Sequence, residues 1–160
     1  MLSAGLSMPT LELKIPPVAV WLISAGPMWL VSRGFPAFDF AIPARRTLAA
    51  GLTLIGLVMG LLGVVSFRKA GTTVNPLKPD SSSALVASGI YRLTRNPMYL
   101  GLLLTLVGWA TFLANLLAFL WLPLFILYMN RFQIIPEERA LATRFGADFT
   151  GYKSRVRRWL

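Results

Sequence analysis

The sequence of 160 residues contains neither cysteine nor histidine. The absence of cysteine excludes disulfides, thiolate metal sites and a cysteine nucleophile. The absence of histidine removes the commonest general base and the commonest metal ligand. Any chemistry must therefore depend on carboxylates, tyrosine, arginine or a bound cofactor, and we expect no metal site.

Charge is also scarce, and acidic residues are the scarcest. Only 14% of the residues are charged, with six Asp and Glu against sixteen Lys and Arg, whereas 56% are hydrophobic. This composition is typical of a membrane protein. The basic residues lie between apolar runs, so the preference of membrane proteins for basic cytoplasmic loops explains the net charge of +10 better than nucleic-acid binding does.

The three longest runs without any charge are residues 15–32, 47–67 and 96–130. As one helix, the third run would be about 52 Å long, against a hydrocarbon core of about 30 Å. A helical hairpin turning near Asn115 places Arg33, Arg45 and Arg46 on one side and the other thirteen of the sixteen basic residues on the opposite side. A single span would divide them six against ten, so the hairpin is favoured and both termini are predicted to be cytoplasmic.

These runs predict an all-α integral membrane protein with about four membrane helices, two spans followed by a C-terminal helical hairpin, and a cytosolic helical tail. By length, the chain is a single domain, 1–160. The GxxxG spacing of Gly56 and Gly60 predicts close approach of another helix, although it is also ordinary composition for a membrane helix. In the tail, Pro136 suits the first turn of a helix and Gly146 its end. The last residues, Arg155 to Trp159, are typical of a membrane-surface segment.

Residues 89–101, GIYRLTRNPMYLG, combine arginines, tyrosines and an Asn-Pro pair immediately before a long apolar run. Such a cluster at a membrane edge indicates either a functional site or an interfacial anchor. The predicted hairpin brings this cluster to the same membrane face as Arg131, Glu137 and Glu138. The two glutamates alone are also explained as acidic residues at a helix N-terminus. Together, the two segments predict a cytosolic pocket suited to a cationic, partly apolar small molecule.

An ordered set of short motifs runs through the second half of the chain. They are Leu85-Val86, Gly89-Ile90-Tyr91-Arg92, Arg95-Asn96-Pro97-Met98-Tyr99-Leu100-Gly101, Glu137-Glu138-Arg139, Phe145-Gly146 and Tyr152. This set resembles the integral-membrane methyltransferase superfamily, which includes isoprenylcysteine carboxyl methyltransferases and phospholipid N-methyltransferases. The resemblance covers roughly residues 67–160, which would form the cofactor-binding core after an N-terminal helix pair, 1–66.

The resemblance implies a site for S-adenosyl-L-methionine without a Rossmann domain. The residues expected to line the cofactor are Ser83, Ala84, Leu85, Val86 and Tyr91. Those expected to hold it are Asn96, Pro97, Met98 and Tyr99, with Glu137 contacting its polar end.

Arg131 and Glu138 are the candidates for catalysis. Arg131 resembles the superfamily's substrate-facing arginine. Glu138 and Tyr99 are the only local groups suited to accept a proton from an amine acceptor. Asn96 stands where the isoprenylcysteine enzymes usually have histidine, and in this the chain looks more like the bacterial and lipid-methylating branches.

The expected function is therefore membrane-embedded, S-adenosylmethionine-dependent methyl transfer on the cytoplasmic face. The acceptor would be an apolar or amphipathic molecule from the bilayer, methylated on an isoprenylcysteine-type carboxyl or on a phospholipid amine. No nucleic-acid partner is expected. The alternative is a non-catalytic transport or resistance factor on the same scaffold. A transporter should carry polar residues within its spans, and these spans have almost none.

Overall fold

The computed structural model describes residues 11–72 and 83–160, and in these ranges it is helical, with no β-strand. Its α-helices, in chain order, are α1 (Pro17–Gly34), α2 (Arg45–Lys69), α3 (Pro97–Leu113), α4 (Leu116–Phe119), α5 (Trp121–Met129) and α6 (Ile135–Arg155). A π-helical segment, Asn130–Ile134, joins α5 to α6, and short 3-10 helices cover Pro36–Phe38 and Gly89–Arg92. The all-helical prediction is confirmed for the described residues. Part of the predicted polar connection, residues 73–82, lies outside them.

The predicted helices over residues 15–32 and 47–67 are present as α1 and α2. By length and composition, two helices of the described ranges are apolar enough to cross a membrane: α2 and the continuous helix Leu116–Arg155. The shorter α3 is also apolar. Only 17% of the apolar stretch of α2 is buried inside the protein, so this helix presents most of its apolar side chains outward.

The chain turns back at Asn115, as the hairpin prediction required. α3 ends before Ala114, whose φ of 51° lies in the left-handed region, and Asn115 then caps α4 by accepting a hydrogen bond from the Leu117 amide at 3.0 Å. The buried Asn115 side chain also donates to the Phe35 carbonyl at 3.0 Å and to Asp39 Oδ1 at 2.7 Å. The loop between α1 and α2 is thereby held on the hairpin turn, at one end of the helix bundle.

Close contact between α2 and α3 depends on glycine. A Cβ atom at Gly56 would lie 2.6 Å from the carbonyl oxygen of Gly101, and one at Gly101 would lie 2.9 Å from the Gly60 nitrogen. These distances are too short for any side chain, so the predicted close approach at the GxxxG spacing is confirmed. α2 and α3 pack antiparallel, since Gly56 lies against Gly101 and Gly63 lies against Met98. The C-terminal end of α2 therefore lies beside the start of α3.

The tail helix has both features that the sequence predicts. Pro136 lies in the first turn of α6, as predicted, although α6 continues directly from the π-helical segment. The prediction that Gly146 ends a helix is confirmed, since its backbone is not helical, and a second helical stretch follows it up to Arg155. Gly146 has φ 47° and ψ −118° and makes a kink, a conformation open to glycine because it has no Cβ.

Two apolar clusters make up the core. The larger lies among α1, α3 and α5, and its fully buried members include Met28, Leu106 and Phe125. The smaller packs the segment before α3 against α6 and is formed by the buried residues Val86, Tyr91, Phe149 and Tyr152. This second cluster fixes residues 85–92 beside the tail helix, where the predicted site lies.

Candidate functional site

The first turns of α3 and α6 meet at one end of the bundle. Tyr99, the third residue of α3, donates a hydrogen bond from its hydroxyl to the carboxylate of Glu137 in the first turn of α6. Tyr99 is only 5% exposed, so this contact lies in the interior. The structure thus joins two residues that are 38 positions apart and that the sequence assigned to one pocket.

Tyr91 lies in the aromatic cluster next to this contact. Its ring packs edge-on against Phe67 with centroids 5.4 Å apart, and its carbonyl accepts a hydrogen bond from the Tyr152 hydroxyl at 2.7 Å. Burial raises the pKa of the Tyr91 hydroxyl far above its ordinary value, so this hydroxyl stays neutral. Val86 is buried against Tyr91, with Leu85 partly buried beside them. Three of the predicted cofactor-lining residues therefore share one apolar wall.

The other predicted residues on this side lie close by in the chain. Ser83 is exposed, and its amide donates to Thr72 Oγ1 at 2.8 Å, which ties the segment to the end of α2. Ala84 is half-buried. Pro97 is fully buried and Met98 half-buried, and a Cβ atom at Gly63 of α2 would lie 2.7 Å from Met98 Cγ. Pro97 and Met98 thus contact α2.

Glu138, adjacent to Glu137, has a different environment. Its carboxylate pairs with Arg95 at 3.0 Å, with Arg158 at 2.8 Å and with Lys153 at 3.6 Å. The side chains of Glu138 and Arg95 are only 12% and 9% exposed. Glu138 is therefore the acidic centre of a basic cluster that joins α6, the segment before α3 and the end of the chain.

Further hydrogen bonds from backbone and side-chain groups reinforce this junction. The Arg95 amide donates to the Arg157 carbonyl at 3.0 Å, and the Asn96 side-chain amide donates to the Arg158 carbonyl at 2.9 Å. Trp159 Nε1 also donates to Asn130 Oδ1 at 3.1 Å. Arg158 and Trp159 thus bind the protein itself, whereas the sequence indicated a membrane-surface segment. Sequence reasoning missed this packing because the pattern of basic and aromatic residues is the same for either partner.

We expect Glu138→Gln to loosen this junction. The substitution leaves Arg95, Lys153 and Arg158 without their carboxylate, and losing hydrogen bonds between charged groups should lower the free energy of unfolding by about 2 kcal/mol. Hydrogen exchange should show reduced protection of the Arg95 and Asn96 amides. Asp148→Asn, an equal change of charge at an exposed position of α6, is the control and should leave both quantities unchanged.

Glu137 differs from Glu138 in its charge partners. Within residues 11–72 and 83–160, Glu137 makes its hydrogen bond with Tyr99 and forms no ion pair with a basic side chain, whereas Glu138 is paired with three. Glu137 is thus the acidic group of this region that has no basic side chain paired with it in the described ranges. A cationic ligand is the partner that such a carboxylate can bind.

Arg131 lies apart from the Tyr99–Glu137 contact. Its side chain is 54% exposed, and its guanidinium binds the carboxylate of Glu12, which Arg139 also binds. The hydrogen bond from Arg131 holds the pKa of the Glu12 carboxyl below its usual range. The structure therefore brings Glu137, Tyr99 and Tyr91 into one region and binds Arg131 to the segment that precedes α1.

Several known proteins are similar to this chain. An uncharacterized protein of Haemophilus influenzae is 51% identical over 63 residues, 39% of this chain and all of that protein. The protein-S-isoprenylcysteine O-methyltransferase of Schizosaccharomyces pombe is 26% identical over 124 residues, 76% of this chain and 52% of the enzyme. That of Saccharomyces cerevisiae is 26% identical over 156 residues, 85% of this chain and 64% of the enzyme. No solved structure matches the chain.

The chain thus spans between about half and two-thirds of the length of these two methyltransferases. The match to a protein family gives the broader assignment. The family model of the phospholipid methyltransferases matches residues 44–148, well over half of the chain. The matched region extends from the start of α2 into α6 and includes the Tyr99–Glu137 contact. This chain belongs to the phospholipid methyltransferase family, within the integral-membrane methyltransferase superfamily.

Proposed function

We propose that the protein is a membrane-embedded, S-adenosylmethionine-dependent methyltransferase whose donor pocket lies between residues 83–99 and the first turns of α6. The observation that carries this proposal is the contact of Tyr99 with Glu137, a carboxylate that makes no ion pair within the described ranges. It lies next to the aromatic cluster of Tyr91 and Tyr152. Membership of the phospholipid methyltransferase family supports the same activity.

The residues of the pocket fit a cationic donor. S-adenosylmethionine carries a sulfonium and an ammonium group, and when bound it supplies an electrophilic methyl group. Glu137 is suited to bind the ammonium end, and the faces of Tyr91 and Tyr99 are suited to stabilise positive charge. Glu138, already matched by Arg95, Lys153 and Arg158, acts as the residue that keeps the pocket wall in place.

The different roles of Glu137 and Glu138 also matter for catalysis. Methyl transfer is an in-line displacement, so holding the donor and excluding water provide most of the acceleration. A carboxylate acceptor needs no base, which suits a chain without histidine. An amine acceptor must lose a proton, and the Tyr99 hydroxyl could take it while passing its own proton to the Glu137 carboxylate, to which it donates a hydrogen bond. Glu138, which the sequence suggested for this proton, would have to leave three cationic partners first.

The acceptor is proposed to be a lipid or lipid-like molecule that enters from the bilayer. Large apolar side chains such as Leu54, Leu57 and Leu61 are exposed along α2, as lipid-facing residues are. Arg131 is suited to bind a carboxylate or phosphate of the acceptor. Since Arg131 is bound to Glu12, the acceptor would have to displace that carboxylate.

Orientation follows from charge. The pocket end of the bundle contains the end of α2, the start of α3 and the tail. Twelve of the fifteen basic residues in the described ranges are found there. The preference for basic cytoplasmic segments favours a cytoplasmic pocket with both termini on that side. In this arrangement α1, α2, α3 and the helix from Leu116 are the four membrane helices.

Methyl transfer to a membrane extract tests the proposed function. The full chain in lipid nanodiscs is incubated with S-adenosylmethionine labelled in its methyl group and a total membrane extract, and lipid and protein fractions are then separated. We expect label in at least one fraction, and Glu137→Gln should reduce it while Asp148→Asn does not. A wild-type protein that binds no S-adenosylmethionine and labels neither fraction would be the non-catalytic factor instead.

A further inference from the structure

A second cleft lies at the other end of the bundle, where α1 ends, α2 begins and α3 ends. Its volume is about 530 Å³, and the residues that give it its chemistry are Trp29, Arg33, Asp39, Arg45, Trp109 and Phe112. It has no part in the Tyr99–Glu137 region. Tyr99 and Phe112 are thirteen residues apart on α3, which corresponds to about 20 Å along the helix axis. The cleft is therefore too far from the proposed donor pocket to take part in methyl transfer.

The cleft carries a net positive charge, since two arginines and one aspartate line it. Arg33 and Arg45 both line it, and neither forms an ion pair within residues 11–72 and 83–160. The guanidinium of Arg33 lies 6.0 Å from the centre of the Trp29 ring. Asp39 is the acidic residue of the lining, and its Oδ1 accepts the hydrogen bond from Asn115 at 2.7 Å. An anionic group would match the two arginines.

The rest of the lining is aromatic and held in place. The rings of Trp109 and Phe112 stack with centroids 5.7 Å apart and planes 16° apart. Trp109 Nε1 donates to the Ala25 carbonyl at 3.1 Å, which fixes this ring against α1. Trp29 and Trp109 lie near the ends of two apolar helices, and tryptophan is enriched at the level of lipid headgroups. The anion that fits this cleft is one attached to an apolar body.

We propose that this cleft binds the headgroup of an anionic phospholipid from the leaflet opposite the methyl-transfer site. Arg33 and Arg45 contact the phosphate, and the aromatic residues contact the glycerol and the first carbons of the acyl chains. The volume of the cleft lies in the range that small-molecule sites have. The bound lipid joins the loop between α1 and α2 to the end of α3, so it stabilises the fold and is not methylated. The proposal depends on membrane embedding and not on methyl transfer.

Lipid retention tests this site without any methyl donor. The full chain is purified in a neutral detergent, supplied with phosphatidylglycerol or phosphatidylcholine, and examined by native mass spectrometry. We expect one phosphatidylglycerol to remain bound and phosphatidylcholine to be lost. Arg33→Gln and Arg45→Gln should each weaken retention about tenfold, since each removes a charged hydrogen bond to the phosphate.

Arg46→Gln is the matched control, because Arg46 is adjacent to Arg45 and carries the same charge but does not line the cleft. It should leave retention of phosphatidylglycerol unchanged. If Arg45→Gln and Arg46→Gln reduced retention of phosphatidylglycerol equally, the proposal would be overturned, since the lipid would then respond to net charge alone. Equal retention of the two lipids by wild type, or displacement of phosphatidylglycerol by millimolar inorganic phosphate, would also overturn it. The former would make the site non-selective and the latter would make it a free-anion site.

Discussion

Glu137→Gln is expected to weaken binding of S-adenosylmethionine about 10- to 100-fold. The proposed contact joins the carboxylate of Glu137 to the ammonium group of the donor, and a hydrogen bond between charged groups contributes about 1.5–3 kcal/mol. Glutamine keeps the shape of the side chain and can still accept the hydrogen bond from Tyr99. The fold should therefore survive the change. Isothermal titration calorimetry of the protein in nanodiscs measures the affinity directly.

Asp148→Asn separates this effect from a general effect of charge. Asp148 is exposed on the same helix, so its neutralisation changes the net charge equally without touching the pocket. We expect its affinity for S-adenosylmethionine to equal that of wild type. If Glu137→Gln binds the donor as tightly as Asp148→Asn does, Glu137 is not a ligand of the donor. Absence of binding by wild type would instead count against the whole proposed function.

The fold was predictable where it depended on hydropathy and charge. Uncharged runs locate α1 and α2, and the excess of basic residues on one side requires the turn at Asn115. Gly146 was predictable as the residue that ends a helical stretch, because glycine after an amphipathic segment is typical of a helix end. The second stretch that follows it was not predictable, since it packs through Phe149 and Tyr152 against Tyr91, a long-range contact that no local pattern reports.

The proximity of the candidate site residues was predictable, and their individual contacts were less so. The hairpin topology is sufficient to bring residues 89–101 and Glu137 to one end of the bundle. Neighbouring glutamates look alike in a sequence, however, and their different contacts come from the tail. Arg158 and Lys153 reach Glu138 because α6 continues past Gly146 and the last residues turn back onto Arg95 and Asn96. Glu137, one residue earlier, faces Tyr99 instead.

The two ends of the bundle also differ in a way that bears on function. At the pocket end, Glu138 and Glu12 form ion pairs with several arginines, and these pairs hold segments of the chain together. At the opposite end, Asp39 is engaged by Asn115, and Arg33 and Arg45 line a cleft without an acidic partner in the described ranges. Binding an anion at that end therefore needs no rearrangement of existing ion pairs, whereas an anionic acceptor at Arg131 must displace Glu12.

Gly56→Ala is expected to destabilise the protein by about 3 kcal/mol. The added methyl group would lie 2.6 Å from the Gly101 carbonyl oxygen and 3.0 Å from the Thr105 nitrogen. Both are backbone atoms of α3, so they can move only if the helices separate, and overpacking of this kind costs about 1–3 kcal/mol or more. Separation of α2 from α3 would also move Met98, which packs on Gly63 next to Tyr99. Reversible unfolding in mixed detergent micelles measures the loss.

Gly60→Ala is the matched control within the same GxxxG spacing. A Cβ atom at Gly60 meets no other atom within 4 Å, although the Gly60 backbone itself lies against Gly101. Replacing glycine by alanine inside a helix favours the helix by about 1 kcal/mol, so this variant should be as stable as wild type or slightly more stable. Equal stability of Gly56→Ala and Gly60→Ala would mean that α2 and α3 are not in the close contact described. Loss of stability in Gly56→Ala alone would locate the close contact between α2 and α3 at Gly56.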